Sequence, residues 1–114
     1  MPETVYKILD AAEWAEAEAR GRFDGSDVDR RDGYIHFSTA AQAEETARRH
    51  FAGRRNLVLV AVDAEALGPA LKWEPSRGGD LFPHLYGPLP VSAARWTRPI
   101  RLDGERHLLP DLGP

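Results

Sequence analysis

The sequence predicts a single α+β domain with about five or six short strands and two main helices, and three observations lead there. The chain has 114 residues, 42% of them hydrophobic, which is one compact core and no second domain. Its 10 glycines and 9 prolines are unevenly placed, with five in residues 1–67 and fourteen in residues 68–114. The first part therefore reads as regular elements and the second as short strands joined by turns. Finally, apolar residues recur with period two in some stretches and at helical spacing in others.

Val5-Tyr6-Lys7-Ile8-Leu9 reads as a strand. Asp10 then begins a helix as N-cap, with Glu13 at N3 completing a capping-box pattern and Gly21 placed to end it in a left-handed turn. The segment Phe23–Asp27 is rich in turn residues. After Asp32-Gly33, the stretch Tyr34–Ser38 reads as a short buried strand.

Ser38 or Thr39 caps a second helix, with Gln42 three residues after Thr39. Ala43, Ala47, His50 and Phe51 form its apolar face, and Gly53 is expected just past its end. Leu57–Val62 is apolar at every position, as a central strand is. Asp63 caps one helical turn closed by Gly68-Pro69. Ala70–Glu74 should be a strand with Leu71 and Trp73 on one buried face, Pro75–Asp80 a loop, and Phe82–Tyr86 a return to the sheet. Arg95–Leu102 is expected as a last strand interrupted at Pro99. Residues 1–102 then form the domain, and residues 103–114 a C-terminal tail.

Composition removes several function classes. There are no cysteines, which excludes disulfides, thiolate catalysis and thiolate zinc sites. The net charge of −3 argues against general nucleic-acid binding. Leu57–Val62 is the longest clean apolar run, far below the roughly 20 residues of a membrane helix. The N-terminal residues lack an apolar signal core, so a cytoplasmic location without membrane contact is expected.

Two clusters could carry chemistry. In the first, Tyr34, His36 and Ser38 share one face of a strand that runs into a helix start at Thr39. Free N–H donors at such an end suit phosphate or carboxylate, whereas the plainer reading makes Ser38 and Thr39 caps and His36 a structural histidine. The second is Glu74, Arg77, His84 and Tyr86 around Gly78-Gly79, with His84 and Tyr86 on one face beside Glu74 and His36; a charged surface turn is the plainer account. A metal site on His36, His84 and Glu74 has no supporting motif spacing, so no metal is expected. A serine hydrolase on Ser38 lacks the nucleophile elbow. The group Arg48, Arg49, Arg54 and Arg55 reads as a solvated helix end.

Four ordered blocks resemble the bacterial domain-of-unknown-function 952 family. They are Val5-Tyr6-Lys7-Ile8, Asp32–Thr39, Leu71-Lys72-Trp73-Glu74-Pro75 and Phe82–Leu89, spanning residues 4–100. The resemblance implies a split β-sheet cleft of the ADP-ribosyltransferase-like type, a fold that in active members holds NAD. Ile35-His36-Phe37-Ser38 also looks like the histidine strand of RNA 2′-phosphotransferases, which share that fold. By this likeness His36 and Ser38, with Thr39, Arg77, His84 and Tyr86, would contact the nucleotide. His36 and Glu74 would be catalytic, with Glu74 stabilising a ribosyl cation, although Glu74 precedes a proline and lacks the usual Glu-x-Glu context.

The leading expectation is thus an NAD or ADP-ribose-type nucleotide-binding domain, with a transferase reaction if it is an enzyme. NAD would be the substrate and a small-molecule nucleotide the expected partner, with any protein partner left open. A non-catalytic ligand or protein-interaction module and, behind it, a metal-dependent hydrolase are the rivals.

Overall fold

A computed structural model describes residues 3–112, with Arg77 described by its backbone alone. The chain is α+β, as its patterning predicts. Strand β1 (Thr4–Asp10) pairs antiparallel with β4 (Leu57–Asp63), which pairs on its other edge with β8 (Ala94–Asp103). Strand β9 (Arg106–Leu108) completes the order β1-β4-β8-β9. A second sheet has the order β3-β6-β5, from Ile35–His36, Asp80–Leu85 and Leu71–Ser76. A two-residue ladder joins β2 (Arg22–Phe23) to β7 (Leu89–Pro90).

The two larger sheets meet at one point. Tyr6 and Ser38 exchange both backbone hydrogen bonds at 2.8 Å, while Phe37, one residue earlier, donates its N–H to Pro83 in the other sheet at 3.0 Å. The segment following Ile35 therefore begins on one sheet and ends on the other. Just before the crossing, β1 and β3 part, and a cleft opens between them.

Helix α1 (Ala11–Arg20) ends at Gly21 with φ 87°, the left-handed stop that the sequence predicts. Asp10, however, makes no side-chain cap; its carboxylate accepts from Arg54 at 2.6 Å instead. Helix α3 (Ala40–His50) starts with Thr39, which accepts from the Gln42 N–H while Gln42 Oε1 accepts from the Thr39 N–H. Thr39, not Ser38, is thus the cap. The helix is capped at Phe51, one residue earlier than Gly53 as the first residue past the cap would require. A short helix, α4 (Ala64–Leu67), is capped by Asp63 as expected.

The sequence reading misses helix α2 (Asp27–Asp32), which occupies the stretch expected to be only turns. Six residues are too few to display a periodic apolar face. Gly25 precedes it with φ 108°, and a Cβ there would lie 3.0 Å from the Cβ of Asp29, so both conformation and space require glycine.

Both faces of the first sheet are covered. Val5, Leu9, Val60 and Val62 pack with Trp14, Phe23, Ile35, Phe37 and Leu85 on one side. Tyr6, Ile8, Leu57, Leu59 and Ala61 pack with Ala47 and Ile100 on the other. Three expectations need correction. Trp73 is 37% exposed: it shares a face with Leu71, which packs on the first core cluster, but it stands farther along β5, the edge strand of its sheet. Pro99 does not interrupt the last strand; it stands opposite Val58 within β8. The segment after Leu102 contributes β9, buries His107, and packs Leu109 and Leu112 on the second core cluster.

Leu59 is fully buried in the central strand. Leu59→Ala is expected to lower unfolding free energy by about 2–5 kcal/mol. Trp73→Ala should change it much less, and denaturant unfolding of the two variants side by side checks the assignment of faces.

Candidate functional site

Lys7 lies in the middle of β1, where Val5, Lys7 and Leu9 share one face by strand alternation. Its ammonium is therefore directed at the core side, and it is only 4% exposed. A buried lysine requires a partner, and Asp29 on α2 supplies it, with Nζ 2.9 Å from Oδ2 and 3.1 Å from Oδ1. Asp29 is equally buried, and it gathers further donors. His36 donates its backbone N–H to Oδ1 at 3.1 Å, and its ring Nδ1 lies 2.6 Å from the same oxygen. Ser26 donates its backbone N–H and its hydroxyl to Oδ2 at 3.0 and 3.1 Å. Burial pushes the Asp29 carboxyl upward, but the His36 hydrogen bond, the Lys7 charge and the Ser26 N–H outweigh it and hold the group well below the ordinary carboxylate range.

His36 is clamped at both ends, since Nε2 lies 3.0 Å from Asp32 Oδ2. A carboxylate only accepts, so both contacts are hydrogen bonds when both ring nitrogens carry protons. Across the sheet His36 stands opposite His84, with ring centroids 5.7 Å apart. Tyr34 lies against both: it stacks on His84 at 4.0 Å and tilts against His36 at 4.6 Å. Tyr86 adjoins Tyr34 at 5.4 Å.

Tyr34, His36 and His84 border a cavity of about 310 Å³ between β1, β3, β6, α2 and α3. Lys7, Asp32, Tyr34, His36, Ser38 and His84 line it. The Ser38 hydroxyl is 2.8 Å from that of Thr46 on α3.

The residues singled out in the sequence thus divide. The cavity brings together His36, Ser38 and His84. Thr39 is occupied with capping α3. Glu74 and Tyr86 are not in its lining. Glu74 stands behind His84, its Oε1 2.8 Å from His84 Nδ1 and accepting from the Tyr86 hydroxyl at 2.7 Å. The hydrogen bonds from Tyr86 and His84 hold the Glu74 carboxyl below its ordinary value. The side chain of Arg77 lies outside the described residues. No group of three or more His, Asp or Glu side chains arranged to hold a metal occurs among the described residues.

Sequence reasoning missed Lys7, Asp29 and Asp32. The signal for Lys7 was a lysine on the inward face of an otherwise apolar strand. For Asp29 it was Ser26-x-x-Asp29, a capping box with aspartate in place of glutamate.

The model of proteins of unknown function designated DUF952 matches residues 8–97. The chain belongs to the DUF952 family. Its fold is shared with protein CC0527 from Caulobacter crescentus. The crystal structure of that protein is 55% identical, with TM-score 0.88 and 91% of each chain covered. Its solution NMR structure, also 55% identical, gives a TM-score of 0.81 and covers 91% of this chain and 90% of that one. Comparison with curated proteins yields no match. Among the described residues of this DUF952 member, no helix is long and apolar enough to cross a membrane.

Asp29→Asn leaves the Lys7 ammonium buried without a counter-charge, and a loss of about 3–5 kcal/mol of stability is expected. The sign with pH follows from the depressed Asp29 carboxyl. Its contribution is complete above the unfolded value near 4 and declines as pH falls below it. Denaturant unfolding at pH 7, 5 and 3 should therefore show a steeper acid loss in the wild type than in the variant.

Proposed function

We propose that the cleft binds a nucleotide of the NAD or ADP-ribose type, with the nicotinamide–ribose end in the cavity. The observation that carries this reading is the wall of stacked rings. Tyr34, His36 and His84, in ring contact with one another, line the cavity beside Ser38 and Asp32. Aromatic faces favour a planar base, and a positively charged pyridinium most of all. At about 310 Å³ the space is near the lower limit for a ligand pocket. It accommodates one nucleoside-sized end, with the remainder of the ligand lying outside.

Two further features support the proposal. Likeness to the ADP-ribosyltransferase-like fold implies a cleft where a β-sheet splits, and here two sheets part beside the Tyr6–Ser38 bridge. The order His36, then Ser38 two residues later, follows the pattern expected of a strand that holds ribose and carboxamide. His36 is held rigidly by two carboxylates, which preorganises its part of the wall.

The test is a thermal-shift and calorimetric titration with NAD, ADP-ribose and nicotinamide. A ligand at 100 times its Kd should stabilise the fold by about 2.7 kcal/mol. Tyr34→Ala should weaken binding by about 1–3 kcal/mol through lost stacking, and Tyr34→Phe should retain most of it. His36→Ala, checked for folding, should weaken binding roughly 5- to 150-fold, by about 1–3 kcal/mol of lost ring contact rather than by a lost hydrogen bond. No stabilisation by any of the three ligands would exclude the nucleotide reading and leave the cleft to a different small molecule or a protein partner.

A further inference from the structure

The two histidines that face each other across β3 and β6 are wired differently. His36 has a carboxylate oxygen on each ring nitrogen, so neither is open to a ligand. His84 has one carboxylate only, Glu74, on Nδ1. Among the described residues, its Nε2 has no hydrogen-bond partner. Trp14 Nε1 is the one buried side-chain nitrogen or oxygen without a partner among them. The unpartnered Nε2 of His84 is therefore reached by solvent. Its side chain is 5% exposed and lines the cavity.

Glu74 is arranged to fix the tautomer. The same Oε1 takes the Nδ1 proton of His84 and the hydroxyl proton of Tyr86, which keeps the carboxylate in place behind the ring. With Nδ1 as the donor, a neutral imidazole has its lone pair on Nε2. Tyr34, stacked on the ring at 4.0 Å, limits its rotation.

We infer that His84 is a general base of the cleft, its Nε2 accepting a proton from a hydroxyl or water bound there, and that Glu74 is its positioning residue rather than a stabiliser of a ribosyl cation. The inference deepens the nucleotide reading and, for the reaction itself, rests on it. In the step implied, the acceptor oxygen attacks the ribose C1′ and forms the new C–O bond. The C1′–N bond to nicotinamide breaks, and nicotinamide leaves neutral with that electron pair. The acceptor proton passes to Nε2 and then to solvent. With water as acceptor the products are ADP-ribose, nicotinamide and one proton, and no oxidant or reductant is needed.

Two measurements on the intact chain test this. The first needs no nucleotide: long-range proton–nitrogen NMR of the His84 ring at pH 8 should show Nδ1 protonated and Nε2 bare. A proton on Nε2 overturns the proposal. The second follows nicotinamide release from NAD in water. His84→Ala should reduce kcat at saturating NAD about 100-fold or more, and added imidazole should restore part of it. Where the alanine variant does not fold, His84→Gln serves. Glu74→Gln should lower kcat by about tenfold with little change in KM, because the amide oxygen still accepts the Nδ1 proton without its charge. Full turnover in the His84 variant overturns the proposal, as does a wild-type chain that binds NAD and releases no nicotinamide; the latter leaves the nucleotide reading intact. If NAD does not bind at all, the nucleotide reading falls, and the tautomer alone decides whether Nε2 is the cleft's proton acceptor.

Discussion

The carboxylate of Asp29 stands where a backbone ladder is missing. Between β1 and β3 the strands have parted, and the His36 N–H that would have met a neighbouring strand meets Asp29 Oδ1 instead. The same carboxylate neutralises Lys7 from β1 and closes the first turn of α2 through Ser26. One buried group therefore ties three elements together at the point where the cleft opens. Taking a carboxylate and an ammonium out of water costs several kcal/mol for each ion, and only a full set of donors offsets that. Asp29 has them: an ammonium, a ring nitrogen, two backbone N–H groups and a hydroxyl.

That arrangement has a consequence for the cleft. A wall built on apolar contacts alone would close, since two sheets with complementary faces pack together. Here the groups at the split are polar and hydrogen-bonded to one another, and they fix the orientation of His36 by both of its nitrogens. The neighbouring rings of Tyr34 and His84 inherit that order through stacking. The outcome is a small pocket whose aromatic wall is set before any ligand arrives.

Across the pocket, Glu74, His84 and Tyr86 repeat the theme at lower cost, because Glu74 is partly open to solvent and its acceptor oxygen is shared. The two histidines thus have opposite roles imposed by their surroundings. His36 has a carboxylate on each ring nitrogen and acts as a fixed surface, whereas His84 has one nitrogen held by Glu74 and lines the cleft. Membership of the DUF952 family and the fold shared with the Caulobacter protein fix the architecture, and the site itself supplies the functional reading.

Much of this protein was legible without coordinates. Helices α1 and α3, with the glycine stop at Gly21 and the Thr39–Gln42 box, followed from local rules: hydrogen bonds to nearest neighbours and a helical period. The central strand β4 was readable because it is apolar on both faces, and period two was enough to set His36 and Ser38 on one side and Ile35 on the other. Alternation says which residues share a face, however, and not whether anything covers it; hence Trp73, expected in the core, lies on an open edge strand. Pairing over distance was out of reach for the same reason. Lys7 and Asp29 are 22 residues apart, and Asp29 belongs to a helix too short to show a period. Local sequence determined the elements and the direction of their side chains. The tertiary structure alone decided which charges meet, because burying a charge is tolerable only where a distant part of the chain brings its partner.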